Sequence, residues 1–229
     1  MWTARVFTLY PELFPGPLGS GLYKKALEKK LWSLEVVNIR EHALDKHKTV
    51  DDTPFGGGSG MLMRADVIAN SLDKKILNKD EPIFYLSPKG KKFDQAYAKK
   101  IMNKNINIIC GHFEGVDQRL LETRNIEEIS IGDFILSGGE IGAFVLIDTI
   151  VRLIPGVLGN ADSLSEETFE GNLLEYPQYT KPQKWEEKEV PDVLLKGDHA
   201  KIKDWRLSQS EDITRRRRPD LWKKYKKNK

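Results

Sequence analysis

The 229-residue chain is 39% hydrophobic and 31% charged with a mean hydropathy of -0.49, which fits a globular chain of roughly one to two domains and excludes a membrane protein. Its most apolar stretch, Ile141 to Val151, is interrupted by Asp148, and the N-terminal apolar segment is broken too early, at Pro11-Glu12, for a signal peptide. The single cysteine, Cys110, cannot form an internal disulfide, and the net charge of +3 is uneven: residues 201–229 hold 12 Lys and Arg against 4 Asp and Glu, so a basic end follows a mildly acidic body.

In chain order, β-branched and aromatic runs predict strands at Ala4 to Leu9, Leu34 to Ile39, Pro82 to Ser87, Ile106 to Cys110 and Glu128 to Leu136. Helical patterns fall between them at Gly21 to Leu31, Ala65 to Leu77, Asp94 to Asn103, Gln118 to Thr123 and Glu140 to Ile154. Strands separated by helices of this length imply an α/β domain with a mostly parallel sheet and helices on both faces. Ligands of such sheets bind beyond the carboxyl ends of the strands. There the chain places Ser87-Pro88-Lys89-Gly90, Gly111 to Gly115 and Ser137-Gly138-Gly139-Glu140.

Pro155-Gly156 ends the helical pattern. The expected organisation is a sheet domain over 1–158, a polar and mobile connector over 159–181, and a small, mainly helical, basic domain over 182–229. A basic end of this kind suits a polyanionic partner.

Several chemistries are disfavoured. Gly56-Gly57-Gly58-Ser59-Gly60 lacks the Gly-Lys-Ser/Thr ending of a phosphate loop, and no G-x-G-x-x-G follows a strand. The four histidines show no HExxH spacing, one cysteine cannot build a zinc ribbon, and no nucleophile elbow is present. No protein-ligated metal is expected. What remains is a set of glycine-bearing loops, where a ligand can approach the backbone closely.

Four of these segments together resemble one family: Tyr85 to Gly90, Cys110 to Asp117, Ser130 to Glu140 and Ile154 to Gly159. They are similar to the bacterial tRNA (guanine-N1)-methyltransferases of the knotted SPOUT superfamily, and the likeness extends to Thr49 to Met61, Glu175 to Pro182 and Val193 to Ala200. The resemblance implies a C-terminal trefoil knot in the sheet domain, a homodimer with shared active sites, and a cytoplasmic enzyme acting on the tRNA anticodon stem-loop. It further implies transfer of a methyl group from S-adenosyl-L-methionine to N1 of the guanine 3′ to the anticodon. Magnesium is raised by the resemblance too, without an obvious ligand cluster in the sequence.

Carried over by position, the donor pocket comprises Pro88, Gly90, Gly111, Glu114, Ile131, Gly132, Asp133, Phe134, Ile135, Leu136, Gly138 and Gly139. Arg152 matches the family's catalytic arginine, with Asp148 at i−4 as a competing ion-pair partner. The base falls at Glu167, where the family usually has aspartate, with Glu166 beside it. Phosphates would be met by Lys201, Lys203, Arg206 and Arg215 to Arg218, which position an RNA without specifying it. Two other readings are a non-catalytic RNA-binding protein and a related knotted enzyme acting on ribosomal RNA.

Overall fold

A computed structural model describes residues 1–159 and 168–228. The chain divides into two compact units, 1–159 and 160–229.

The first unit opens with β1 (Trp2–Thr8), α1 (Gly21–Glu28) and β2 (Trp32–Asn38), followed by a short antiparallel pair, β3 (Asp51–Asp52) and β4 (Leu62–Met63). Then come α2 (Ala65–Lys75), β5 (Ile83–Lys92), α3 (Gln95–Ile101), β6 (Ile106–Ile109), α4 (Gln118–Thr123), β7 (Glu127–Ser130) and α5 (Glu140–Val151). The five long strands form one sheet in the order β2-β1-β6-β5-β7, and every pairing is parallel. β6 reads Ile-Asn-Ile-Ile and is buried at all four positions, as a strand covered on both faces must be. Its one polar side chain, Asn107, accepts from Arg5 Nη1 at 2.7 Å, so the buried amide is satisfied.

Helix starts are fixed locally. The Asp94 carboxylate accepts the Tyr97 N–H at 2.8 Å ahead of α3, and Asp117 accepts the Arg119 N–H at 2.9 Å ahead of α4. α5 stops at Val151, with Arg152 as its C-cap, three residues before the predicted end.

Two strands differ from expectation, and both differences shape the site. β5 does not end at Ser87 but resumes pairing with β7 at Lys91 and Lys92; Ile129 is opposite Leu86 in one stretch and Lys91 in the next. Residues 87–90 are thrown out of the ladder, where proline offers no N–H to it. β7 ends at Ser130 rather than Leu136. There Ser130 Oγ accepts the Gly132 N–H at 3.2 Å and donates to the Gly132 carbonyl at 3.1 Å, a local turn that replaces ladder bonds. The apolar run Phe134-Ile135-Leu136 is therefore an exposed loop, with Ile135 80% exposed.

The second unit contains an antiparallel pair, β8 (Lys184–Trp185) and β9 (Lys188–Glu189), then α6 (Asp192–Leu195), α7 (His199–Arg217) and α8 (Pro219–Asn228). The stretch before the hairpin packs onto α7. The Leu174 N–H donates to Thr214 Oγ1 at 2.8 Å, and the Arg206 guanidinium lies 4.7 Å from the Tyr176 ring centroid. Tyr176 and its neighbours thus have partners that their polar composition does not advertise.

Candidate active site

The carboxyl ends of β5, β6 and β7 meet around a cleft of about 280 Å³ in the first unit. Its walls come from three stretches: 85–88, running from β5 into its break, 111–115 after β6, and 129–132 with 134–139, from the end of β7 to the start of α5, with Gly142 on the helix. Glycines make this convergence possible. The Gly139 N–H donates to the Gly111 carbonyl at 3.0 Å, joining two of the loops directly. A β-carbon at Gly111 would stand 2.6 Å from the Tyr85 ring, so that wall is closed to any larger residue.

Of the twelve residues expected in a pocket, ten line this cleft: all except Gly90 and Asp133. Gly90 instead packs against the backbone of Glu128 and Ile129, where a side chain would meet main-chain atoms. The lack of a side chain there lets the two strands come close.

Glu114 is the carboxylate in the lining, on a loop where Phe113 takes a positive φ of 59°. Such a conformation is unfavourable for an aromatic residue and marks a loop held by its surroundings. The holding contacts come from the earlier glycine-rich segment: Glu114 N–H donates to Met61 C=O at 3.0 Å, and Met63 N–H to Gly115 C=O at 2.9 Å. A β-carbon on Gly60 would stand 2.7 Å from Glu114 Oε1, so Gly60 lies directly against the cleft carboxylate, while one at Gly56, Gly57 or Gly58 would meet nothing within 4 Å.

Below the cleft the chemistry is polar but enclosed. Glu140 is 3% exposed, and its carboxylate bonds both His112 and Thr8. Burial, reinforced by the nearby Glu140, pushes the Cys110 thiol well above its ordinary range, so it is an inert packing group. Burial also pushes the Tyr85 phenol up, with Glu128 adding to the effect.

Arg152 lies outside the cleft lining, at the end of α5. Among the described residues no salt bridge joins Asp148, the competing i,i+4 partner, to Arg152, although the arginine's charge acts on the Asp148 carboxyl. Asp148 Oδ1 is buried without a hydrogen bond among the described residues, and burial raises its carboxyl while the Arg152 charge opposes the rise. Glu167 and Glu166 lie outside the described residues.

Among the described residues no three His, Cys, Asp or Glu side chains gather as a metal site, and no helix is long and apolar enough to cross a membrane. On the second unit, Arg215 and Arg216 both bond Asp212, and Arg218 bonds Asp220 at 2.6 Å. The basic face is therefore partly neutralised by its own carboxylates.

A family model described as tRNA (Guanine-1)-methyltransferase TrmD matches residues 1–224. The chain belongs to this family. It is 70% identical over 229 residues, the whole of both chains, to a tRNA (guanine-N(1)-)-methyltransferase of Pelagibacter ubique. It is 57% identical to the Bartonella tribocorum protein of that name, covering 98% of this chain and 97% of the relative. With the Brucella canis protein of the same name the identity is 54%, over 98% and 92%.

Three of the segments through which the sequence resembles the family, Tyr85 to Gly90, Cys110 to Asp117 and Ser130 to Glu140, supply most of the cleft lining, whereas Ile154 to Gly159 is not part of it. Sequence reasoning missed the roles of His112 and Glu140, although both stand inside the motifs it singled out. The available signal was an acidic residue directly after Gly138-Gly139, at the start of a helix that is otherwise almost wholly apolar.

Proposed function

We propose that the protein is a methyltransferase that takes the methyl group of S-adenosyl-L-methionine and places it on N1 of the guanine 3′ to the anticodon of tRNA. The observation that carries this reading is the glycine-walled cleft, built from three of the segments that mark the family, in a chain 70% identical end to end to a protein of that named activity.

The cleft suits the donor. Gly111, Gly138 and Gly139 line the cleft without side chains, so an adenine or ribose can approach the main chain closely, and Glu114 supplies an anionic wall that favours a sulfonium. When bound, the donor supplies an electrophilic methyl group. The rest falls to side chains of this chain: Arg152 offsets charge developing on guanine O6, and a carboxylate accepts the N1 proton. Glu167 is assigned that second role by its place in the family pattern. The target base must leave its stack to be reached, which an anticodon loop permits more readily than a duplex.

A homodimer with shared active sites is supported by α5. Ile141 and Val145 are 58% and 43% exposed, and they fall on one helix face with Asp148 and Arg152. The Phe134-Ile135-Leu136 loop adds further exposed apolar area. A second copy covering that stripe would bring its own residues to Arg152. The trefoil knot is part of the reading through the resemblance to the family. Lys201, Lys203, Arg206 and Arg215 to Arg218 are the phosphate contacts, the anticodon stem-loop is the substrate element, and the cytoplasm is the place of action.

The test is reaction with tRNA and labelled donor, followed by nucleoside mass spectrometry and primer extension. N1-methylguanosine with an extension stop 3′ to the anticodon is expected. RNA binding without transfer, or modification confined to ribosomal RNA, would overturn the reading.

A further inference from the structure

Behind the cleft wall, three segments far apart in sequence meet at one buried carboxylate. Glu140 Oε1 accepts from Thr8 Oγ1 at 2.6 Å, and both Glu140 oxygens lie 2.9 Å from His112 Nε2. Thr8 Oγ1 also accepts the Tyr10 N–H at 2.9 Å, and the Tyr10 ring meets the His112 ring edge-on with centroids 4.8 Å apart. His112 is anchored at its backbone too, its N–H lying 3.3 Å from Met63 Sδ.

A carboxylate at 3% exposure is tolerated only with strong partners. Glu140 has two side-chain partners and stands in the first turn of the 12-residue α5, where the unpaired N–H groups favour negative charge. The pair also touches the cleft. A β-carbon at Gly138 would stand 2.7 Å from both Glu140 Oε2 and His112 Nε2, so the two side chains set the position of the 138–139 wall. On the other side, His112 itself lines the cleft, together with its neighbours Gly111 and Phe113.

We infer that Glu140 is a positioning residue for donor binding: through His112 it locks the 111–115 loop against the Gly138-Gly139 wall, so the pocket has its shape before the donor arrives. This rests on the reading of the cleft as the donor pocket. Removing a preformed shape costs affinity for the molecule that fills it more than it costs the later chemical step.

Calorimetry with S-adenosyl-L-methionine on Glu140→Gln should show donor Kd raised roughly 10-fold or more, the loss expected for a charged hydrogen-bond partner. With donor saturating, kcat and the tRNA KM should stay within about twofold of the parent. Thr8→Val should weaken donor binding in the same direction by less, and Thr8→Ser, which keeps the hydroxyl, should restore it. That pair carries the test if Glu140→Gln does not fold. Unchanged donor affinity, or a fall in kcat with affinity intact, overturns the positioning role. The Gly139→Ala protein separates the two readings: donor binding at parental strength there means the pocket lies elsewhere. Loss of binding in Gly139→Ala with normal binding in Glu140→Gln removes only Glu140 from the account.

Discussion

The backbone of Gly139 lies against that of Cys110, so close that a β-carbon at 139 would stand 2.6 Å from Cys110 Cα and 2.9 Å from Gly111 N. Gly139 has φ −77° and ψ −13°, which any residue can adopt, so space and not backbone angle requires glycine there. Gly139→Ala must push apart two loops of the cleft. We expect a stability loss of about 1–3 kcal/mol, typical of overpacking, together with a large loss of donor affinity. Gly21 is the contrast: φ is +55° with nothing within 4 Å, so Gly21→Ala strains only its own backbone. Melting curves and donor titration on the two variants check this; equal donor affinity in both would sink the packing argument.

Asp148 offers a pH prediction. Burial raises its carboxyl in the folded state, so the fold holds the proton more tightly than the unfolded chain does. A raised carboxyl contributes stability that is full below the unfolded value and is lost as pH rises through the folded value. At neutral pH the ionised group is thus a cost, sharpened by the unbonded Oδ1. Asp148→Asn should raise the thermal midpoint near neutrality, and the gain should shrink as pH falls toward about 4. A gain of the same size at every pH would show that ionisation is not involved.

These sites show what sequence alone can carry. α4 was legible to the residue because Asp117 caps it and a short apolar pair follows, and β6 to within one residue, ending at Ile109 rather than Cys110, because its run is continuous. Phe134-Ile135-Leu136 reads as a strand by residue type, yet strand preference reflects a surface to pack against, and here the run is exposed. Pro88 and Gly90 read as the end of β5, while the ladder resumes beyond them through pairing with a strand some forty residues away. The cleft loops were legible from their glycines. The Glu140 to His112 bond was not, because an acid in a helix's first turn has an ordinary local explanation and its partner is 28 residues distant.

The basic end should respond to salt. Replacing Arg215 to Arg218 with glutamine should flatten the fall of tRNA affinity with ionic strength, since fewer counterions are released, and leave donor binding nearly intact. The structure adds a second arm. Asp212 competes for Arg215 and Arg216, at 3.1 and 2.6 Å, so Asp212→Asn should tighten tRNA binding by roughly threefold, in line with the modest worth of exposed pairs. An unchanged salt slope in the arginine variant would take these residues out of the interface.

On the proposed reading Glu167 is the base, standing where the family usually has aspartate, with an arm longer by one methylene. A carboxylate within about 3 Å of guanine N1 can accept its proton as the methyl group arrives, and general-base catalysis of this kind contributes typically ~10²–10⁴-fold. Glu167→Gln keeps the size and hydrogen-bonding capacity of the side chain but removes the basic site. Turnover should therefore fall by roughly 100-fold or more, with donor and tRNA affinities little changed. Glu166→Gln should be much milder, and Arg152→Ala should lower turnover as well, because charge on O6 would lose its counterpart. Single-turnover rates with saturating tRNA and donor separate these cases. If Glu166→Gln is the crippling change, the family pattern is offset by one residue in this chain; if neither glutamate matters, the proton leaves by another route.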